Sequence, residues 1–394
     1  MTRFAFVADD FTGATDALWQ FRRFGLTGSL VTDVAWISPS DDVVGIATTA
    51  RAAADPVAVA LPLLTELARL GPQILQYKIC STFDSAPSVG SIGAVIAAAH
   101  RTGLARGPVP VVAAQPELGR YTSFATHFVR VGDSVERLDR YPPMRDHPVT
   151  PASEADLRVR LAEQGAGRVG WLPARASARE FREPAGYAAL VADATTSADL
   201  RALGDLLLAE LRDGPHLCVG SGGLSYALAS SLGCAERPGR RLDPVAPVLV
   251  VSGSRSPITL RQIEVAERAG WRVLDGPAGA KESLRAGRHT IVQTTRGPAR
   301  DPGDVGKLLG AVARSAVRAG LVRRLVVAGG DTSGQVVSAL GARSLSVVAE
   351  LAPGGPVCVL TSGDPACDGL EVALKGGQVG GDDFLLRAAD RESP

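Results

Sequence analysis

The sequence predicts an α/β fold with two domains, each containing a largely parallel sheet flanked by helices. The chain has 394 residues, which is more than the roughly 250 to 300 residues at which a single hydrophobic core usually stops growing. Short runs rich in Val, Ile and Leu alternate with segments of helical periodicity, as in parallel sheets that helices cover. Residues 235–247 are charged and proline-rich without any periodicity, which is typical of a linker.

The first domain is predicted over residues 1–234. Segments 58–70 and 92–100 carry apolar residues at spacings of three and four, which predicts two helices. Short apolar runs, each followed by turn residues, predict buried strands between such helices. These runs are 4–8, 43–47, 74–77, 109–113, 188–192 and 217–219.

The second domain is predicted over residues 248–394, after the linker at 235–247. Ser256 and Pro257 form a predicted N-cap and first-turn proline, and Gly270 closes the helix that follows them. A second series of apolar runs again predicts strands that alternate with helices. These runs are 248–251, 290–293, 325–328, 346–348 and 357–360.

Composition excludes several classes of function. The formal net charge is +1 and 21% of the residues are charged, which disfavours nucleic acid and membrane surfaces as partners. No apolar run approaches the roughly 18 residues of a membrane span, and the N-terminus has no leader-like pattern. The five cysteines form no C-x-x-C pair and the histidines have no metal-ligand spacing, so we expect a cytoplasmic protein without a disulfide framework or a protein-ligated metal. The sequence does not decide whether the protein forms a homo-oligomer.

An acidic segment directly behind the first predicted strand is the strongest candidate for a site. Asp9, Asp10, Thr12, Thr15 and Asp16 lie within eight residues. Since α/β proteins bind ligands at the carboxyl edge of the sheet, this crowding of ionisable groups predicts a functional site. The alternative is that the two leading aspartates only end a strand, while Thr12 caps the next helix.

Three other side chains follow predicted strands or stand in polar loops. Lys78 lies at a strand end and could bind a carboxylate or a phosphoryl oxygen as a point charge. The alternative is a lysine whose ammonium group simply reaches solvent. On sequence alone, Arg51 is expected in a surface salt bridge, and His147 is expected to belong to a structural loop rather than to act as a base.

Glycine-rich turns follow strands of the second domain. They are 252–257, 328–334 and a longer stretch comprising 353–356, 361–364 and 374–381. Strand-turn-helix units with free backbone N–H groups suit an anion, and together these turns predict a cradle for a polyphosphate. The alternative for each single turn is a tight connection that needs glycine. The chain contains neither the P-loop nor the Rossmann fingerprint.

The order of the motifs resembles the four-carbon acid sugar kinase family over nearly the whole chain. The motifs are Ala-Asp-Asp-Phe-Thr-Gly-Ala-Thr-Asp at 8–16, Lys-Ile-Cys-Ser-Thr-Phe-Asp-Ser at 78–85, Met-Arg-Asp-His-Pro-Val-Thr-Pro at 144–151, Ser-Gly-Ser at 252–254 and Gly-Gly-Asp-Thr-Ser-Gly at 329–334. The resemblance implies an ATP-dependent kinase of 3-oxo-tetronate, threonate or erythronate. It also implies an N-terminal sugar-acid domain, a C-terminal nucleotide domain and an active-site cleft between them.

The resemblance also implies which residues bind the two ligands. It places Arg51 at a substrate position rather than in a surface salt bridge. The substrate positions it implies are Asp10, Arg51, Lys78, Ile79, Cys80 and Ser81. The nucleotide positions it implies are Ser254, Gly329, Gly330, Asp331, Thr332 and Gly376.

The sequence therefore predicts transfer of the ATP γ-phosphoryl group to a hydroxyl of a four-carbon sugar acid, with Mg²⁺ at the phosphates. Asp10, Lys78 and Asp331 are the predicted catalytic residues, and the choice between the two acids as proton acceptor is left open. Segment 80–85 resembles the oxo-tetronate branch and lacks an arginine that many relatives carry. Segment 375–380, Lys-Gly-Gly-Gln-Val-Gly, departs from the usual Lys-Ser-Gly-Asn-Phe-Gly. A sugar-acid dehydrogenase or aldolase and a non-catalytic sugar-acid binding protein are the alternatives.

Overall fold

The computed structural model describes residues 2–38, 40–182, 186–296 and 301–389. Residues 390–394, at the end of the predicted second domain, lie outside the described residues. The chain forms two compact units: unit 1 comprises Met1–Gly28 and Ile37–Arg237, and unit 2 comprises Ser29–Trp36 and Pro238–Pro394. Among the helices described, none is both long and apolar enough to cross a membrane.

The strands follow one another along both units. In chain order they are β1 (Phe4–Ala8), β2 (Gly28–Val31), β3 (Val43–Ala47), β4 (Ile74–Lys78), β5 (Val109–Val112), β6 (Arg120–Ser123), β7 (Thr126–Val131), β8 (Ser134–Arg137), β9 (Val169–Leu172), β10 (Ala189–Ala192), β11 (His216–Gly220), β12 (Val248–Ser252), β13 (Arg272–Leu274), β14 (Thr290–Gln293), β15 (Arg324–Ala328), β16 (Ala342–Ala352), β17 (Gly355–Ser362) and β18 (Glu371–Lys375).

The α-helices lie between these strands. They are α1 (Phe11–Arg23), α2 (Pro56–Ala68), α3 (Ile92–Arg101), α4 (Pro142–Arg145), α5 (Leu157–Glu163), α6 (Ala178–Arg182), α7 (Ser197–Glu210), α8 (Gly222–Ser230), α9 (Pro257–Arg268), α10 (Ala280–Arg285), α11 (Pro302–Arg318), α12 (Gly330–Ala339) and α13 (Phe384–Arg387).

Each predicted strand coincides with or overlaps an observed one, and the two predicted helices of the first domain are α2 and α3. The predicted start of α9 is confirmed: the Ser256 side chain accepts a hydrogen bond from the Ile258 N–H, and Pro257 occupies the first turn. The sequence missed β2, β6 to β9, β13 and β18. Several of these are partly exposed and mix polar with apolar residues, so they lack the continuous apolar run of a buried strand.

The sheet of unit 1 has the order β3-β1-β4-β11-β5-β10-β9, and all of these neighbours are parallel. Every residue of β1 and β4 is buried, as expected for strands covered on both faces. Ala8 pairs with Ala47 and with Lys78, and Lys78 pairs with Gly220. Four strands therefore end together, and the residues that follow them share one edge of the sheet.

The sheet of unit 2 has the order β13-β14-β12-β15-β18-β17-β16-β2. Its first five strands are parallel, whereas β17 runs antiparallel to β18 and to β16. Ser252 pairs with Ala328, which pairs with Lys375. The turns after β12, β15 and β18 therefore leave the sheet at one edge.

The prediction that segment 361–364 belongs to the phosphate cradle is wrong. Val359 pairs with Glu371 at the start of β18, because β17 is antiparallel to it. Segment 361–364 therefore leaves the sheet at the edge opposite Lys375. Strand direction depends on pairing between distant segments, and the apolar run 357–360 carries no sign of it.

Residues 29–36 belong to unit 2 in the structure, whereas the prediction includes them in the first domain. Val31 pairs with Ser344 and Leu30 with Leu345, so β2 is an antiparallel neighbour of β16. The Thr32 hydroxyl also donates to the Ala342 carbonyl at 2.8 Å. These hydrogen bonds explain why the structure groups the segment with unit 2.

Candidate active site

The acidic segment lies where β1 ends and α1 begins. Asp10 is the N-cap of α1, and its carboxylate accepts hydrogen bonds from the Gly13 N–H at 2.7 Å and the Thr12 hydroxyl at 2.6 Å. Asp10, and not Thr12, therefore caps the helix. Asp9 and Asp10 are both buried, and capping alone does not explain a second buried carboxylate beside the cap.

Arg51 binds both carboxylates. It lies in a short 3₁₀ turn, Ala50–Ala52, that follows β3 at the same edge of the sheet. Its Nε and Nη2 donate to the two oxygens of Asp9 at 3.2 and 2.6 Å, and its Nη1 donates to Asp10 at 2.7 Å. The expectation of a surface salt bridge is wrong, because the partners are buried site carboxylates.

The two aspartates have opposite pKa shifts. Burial raises the pKa of both carboxyls and is the largest influence on each. For Asp10, the positive charges of Arg51 and Lys78 and the hydrogen bonds from Thr12 and Gly13 outweigh burial, so its pKa lies below the ordinary value. For Asp9, burial and the neighbouring charge of Asp10 prevail, and its pKa is raised. The surroundings of Asp10 therefore favour its ionised form.

Lys78 closes the other side of this cluster. It is the last residue of β4 and only 2% exposed, so the alternative of a solvent-reaching ammonium group is wrong. Its Nζ donates to the Ile79 carbonyl at 2.8 Å. A Cβ at position 13 would lie 2.7 Å from this Nζ and 2.6 Å from Oδ1 of Asp10, so a side chain at Gly13 would displace both charged groups.

The loop after β4 carries the remaining predicted substrate positions. The Ile79 side chain is fully buried, and the Cys80 thiol lies 3.1 Å from the Thr82 hydroxyl. The Ser81 carbonyl lies 2.8 Å from Nε2 of His127, a fully buried residue on β7. Burial lowers the pKa of His127 to about 4, so this imidazole is neutral near pH 7.

The far end of the same loop is also held by side chains. Arg160 donates to the Ser85 carbonyl at 2.8 Å, and Gln164 donates to the Ser85 hydroxyl at 2.9 Å. The Thr150 hydroxyl donates to Asp84. Nδ1 of His147 lies 3.0 Å from the Thr150 N–H, so His147 supports this loop, as expected for a structural residue.

In unit 2, three turns meet around Ser254. A Cβ at Gly253 would lie 2.3 Å from the Thr332 hydroxyl, and one at Gly377 would lie 2.9 Å from the Ser254 hydroxyl. Gly329 has a φ of 117°, which side chains rarely adopt, and its Cβ position is 3.4 Å from the Ser254 nitrogen. The turns after β12, β15 and β18 thus come within van der Waals distance of one another.

Lys375 is a buried residue that supports the turn after β18. It is fully buried, and its Nζ donates to the Thr259 hydroxyl at 3.1 Å and the Gly376 carbonyl at 3.0 Å. Burial lowers the pKa of Lys375 to about 7. The amide of Gln262 donates to three successive carbonyls at 379–381, at 2.8 to 3.1 Å. These contacts fix the backbone of the turn that contains Gly376.

Asp331 lies in the first turn of α12 and is exposed. Within the described ranges, the chain brings together no group of three or more His, Cys, Asp or Glu side chains that could hold a metal ion. Mg²⁺ is commonly held by one or two carboxylates together with phosphates and water, and the exposed carboxylate of Asp331 has the chemistry for that role.

Family models match both parts of the chain. Residues 4–228 match a sugar-binding N-terminal domain, and residues 249–385 match a nucleotide-binding C-terminal domain. The 3-oxo-isoapionate kinase of Paraburkholderia graminis is 36% identical, and the alignment covers 97% of this chain and 93% of that protein. The chain belongs to the four-carbon acid sugar kinase family.

Other relatives agree with this assignment. The 3-oxo-tetronate kinase of Pseudomonas fluorescens is 34% identical over 97% of this chain and 95% of its own. A crystal structure from Salmonella typhimurium LT2 superposes with a TM-score of 0.78 at 24% identity and covers 100% of both chains, which shows a shared fold. The named relatives are kinases, so phosphotransferase is the class of enzyme that they support.

Set against the positions that the family implies, the structure brings Asp10, Arg51 and Lys78 into one cluster and Ser254, Gly329 and Thr332 into another. The sequence missed the residues that hold these clusters from outside. Lys375 precedes two glycines, but β18, the strand that ends at it, was not predicted, so its position at a strand end could not be read from the sequence. Nothing local distinguished the others, which are His127, Arg160, Thr259 and Gln262.

Proposed function

We propose that the protein is an ATP-dependent kinase that phosphorylates a hydroxyl of a four-carbon sugar acid of the 3-oxo-tetronate type. The observation that carries this proposal is the buried cluster of Asp9, Asp10, Arg51 and Lys78, at the carboxyl edge of the domain that matches a sugar-binding model. Buried carboxylates and cations at such an edge hold hydroxyls and acidic groups.

Unit 2 supports the nucleotide half of the proposal. Its turns at Ser254, Gly329 and Gly376 present backbone at one edge of the sheet, and α9 and α12 begin beside them. Helix N-termini and glycine turns offer free N–H groups and a partial positive charge to phosphates. Mg²⁺ would neutralise charge on the phosphates, and Asp331 is the carboxylate we assign to it.

We assign Asp10 to the accepting hydroxyl. Its lowered pKa makes it a weak proton acceptor but a persistent negative charge that can orient the hydroxyl toward the phosphoryl group. Lys78 has donors beyond the one it gives to Ile79, and we assign it to an oxygen of the transferred phosphoryl group. In the reaction, the hydroxyl oxygen forms the new bond to the γ-phosphorus, the bond from that phosphorus to the β,γ-bridging oxygen breaks and releases ADP, and the hydroxyl proton passes to solvent.

The relatives suggest which acids to test. Named relatives act on 3-oxo-tetronate and on 3-oxo-isoapionate, and the loop at 80–85 resembles the oxo-tetronate branch. We also propose a cytoplasmic location, because the five cysteines are free thiols.

A coupled assay of ADP release tests the proposal. We expect purified protein with ATP and Mg²⁺ to release ADP only when a sugar acid is added, fastest with a 3-oxo-tetronate or 3-oxo-isoapionate and more slowly with threonate or erythronate. Phosphorus NMR of the product identifies a phosphate monoester. Absence of acid-dependent ADP release across this panel would contradict the proposal, and NAD-dependent turnover of the same acids would favour a dehydrogenase.

A further inference from the structure

Arg120 is a cation on the small sheet of β6, β7 and β8 that has no role in the contacts described above. It is the first residue of β6, and its backbone N–H and carbonyl both pair with Gln115 just beyond the end of β5. Its Nη1 donates to the Leu118 carbonyl. Its Nε is buried and has no hydrogen-bond partner, and within the described parts of unit 1 no ion pair links it to a carboxylate.

This charge is not balanced by the acidic cluster. Asp9 and Asp10 already face two cations, Arg51 and Lys78, so the cluster holds as many cations as carboxyl groups without Arg120. Burial is the main influence on Arg120 and lowers its pKa, as expected where a guanidinium lacks a counter-charge. A partly buried arginine without a counter-charge lowers the stability of the folded protein, and a bound anionic ligand would supply that counter-charge.

The hairpin of β6 and β7 connects Arg120 to the substrate positions. Arg120 pairs with Val129, and Thr122 pairs with His127, so these four residues lie on one face of the hairpin. The Thr122 hydroxyl lies 3.0 Å from Nδ1 of His127, and Nε2 of His127 lies 2.8 Å from the Ser81 carbonyl. Arg120 is thus on the face of the hairpin that His127 joins to the loop at 80–85.

A second arginine near this loop has a different role. Arg160 also has a buried nitrogen without a partner, but it is only 5% exposed and donates to the Ser85 carbonyl. Its guanidinium stacks over the ring of Phe83, 5.4 Å from the centroid. Arg160 therefore holds the loop, whereas Arg120 keeps a guanidinium N–H group without an acceptor in the protein, which can donate to a ligand.

We propose that Arg120 binds the carboxylate of the sugar acid and so makes the enzyme select acids over neutral sugars. The proposal rests on the sugar-acid function proposed above and adds the residue that recognises the acid group. The planar guanidinium fork matches a carboxylate, and the ligand would supply the counter-charge that the folded chain lacks. Asp10 and Lys78 would then serve the hydroxyl end of the same molecule.

The test compares an acid with its neutral analogue. Binding of threonate and of threitol, without nucleotide, is measured by calorimetry for wild type, Arg120→Gln and Arg130→Gln. Arg130 is an exposed arginine on β7 of the same small sheet and serves as the matched control. We expect Arg120→Gln to weaken threonate binding about 30- to 1,000-fold, the scale for removing one partner of a desolvated charge contact. Threitol binding should stay within about threefold, and Arg130→Gln should resemble wild type.

Each outcome decides the proposal. Equal loss of threonate and threitol, equal affinity of wild type and Arg120→Gln for threonate, or no binding of threonate by wild type would overturn it. Arg120→Lys, which keeps the charge but not the fork, should recover part of the affinity if the contact is real. If threonate binds through Arg120 but no four-carbon acid supports ADP release, the acid subsite stands and the kinase function fails.

Discussion

At the scale of single residues, the cations Arg51 and Lys78 of unit 1 and Lys375 of unit 2 have different partners. Asp9 and Asp10 oppose Arg51 and Lys78, whereas Lys375 has a hydroxyl and backbone carbonyls as partners. A buried cation with neutral partners favours its uncharged form, and the pKa of about 7 reflects this. A phosphate at the neighbouring turn would provide the missing negative charge and raise that pKa.

Replacing Asp10 with Asn tests its role at the hydroxyl. The amide oxygen can still cap α1 through the Gly13 N–H, so folding should persist. Loss of the charge should reduce kcat/KM for the sugar acid on the order of 100-fold, while ADP–Mg²⁺ affinity stays within a few-fold. Steady-state kinetics and melting midpoints are measured beside those of Asp9→Asn. Near-normal turnover would contradict the role, and a collapsed midpoint would mean that the carboxylate is mainly structural.

Replacing Lys375 with Met tests its buried charge. The pKa falls from 10.5 in the unfolded chain to about 7 in the folded one, so between these values the unfolded state holds the extra proton. Wild-type stability should therefore rise with pH across this window, and the burial penalty is fully present below pH 7. Lys375→Met should be most stabilising near pH 6, by several kcal/mol at about 1.4 kcal/mol for each unit of pKa difference, and should lose this advantage toward pH 10.

Denaturant unfolding at pH 6, 8 and 10 measures the effect. A difference between Lys375→Met and wild type that does not change with pH would show that Lys375 stays charged in the folded protein. Lys307→Met, at an exposed site on α11, controls for the general effect of losing a lysine.

At the scale of elements, the register of parallel strands determines which turns meet. Ser252, Ala328 and Lys375 are in register across β12, β15 and β18, so the turns that follow them emerge side by side. Glycine is needed where these turns touch, since a Cβ at Gly253 would overlap the Thr332 hydroxyl. The nucleotide cradle that we propose depends on this close approach.

Gly253→Ala should therefore weaken ADP–Mg²⁺ binding. The new methyl group would push Thr332 and the turn at 329–332 away from Ser254, and we expect at least about a tenfold loss of affinity, or roughly 1.4 kcal/mol. Gly276→Ala is the matched control, because its Cβ position meets no atom within 4 Å. Calorimetry with ADP–Mg²⁺ measures both variants. Wild-type affinity in Gly253→Ala would argue against a nucleotide at this turn, and equal loss of threonate binding would indicate misfolding.

At the scale of the whole molecule, each unit carries one of the two clusters, yet the chain does not divide at a single point. Residues 29–36 leave the first part of the sequence and add β2 to the sheet of unit 2. A fragment of residues 238–394 would contain the proposed nucleotide cradle but would lack this strand. The backbone groups of β16 that pair with β2 would then be unpaired.

We expect that fragment to bind ADP–Mg²⁺ and to self-associate through the uncovered edge of β16. Calorimetry measures the binding, and size-exclusion chromatography with light scattering measures the association. Full-length protein is the reference for both. A folded fragment that gives no heat with ADP would contradict a nucleotide site on unit 2. A stable monomer would show that β2 is not needed to prevent association through the edge of β16.

Much of the fold and part of the site could be predicted from the sequence, because these features depend on residues close together in the chain. Apolar runs predicted the strands they form, and Ser256 with Pro257 predicted the start of α9. The position of Asp10 and Lys78 at strand ends was also readable. Their burial and their shared partner, Arg51, were not, because Arg51 lies more than 40 residues from Asp10.

The sequence by itself determined the strands that form continuous apolar runs, the start of α9 and the positions of the glycine turns, since periodicity and capping are local properties of the chain. Only the tertiary structure decided that β17 runs antiparallel, that β2 joins unit 2, and that Lys375 lies buried against Thr259. It also decided that Arg120 keeps a buried nitrogen unpaired. Each of these depends on hydrogen bonds and desolvation among segments distant in sequence, and their free energies arise only when those segments pack together.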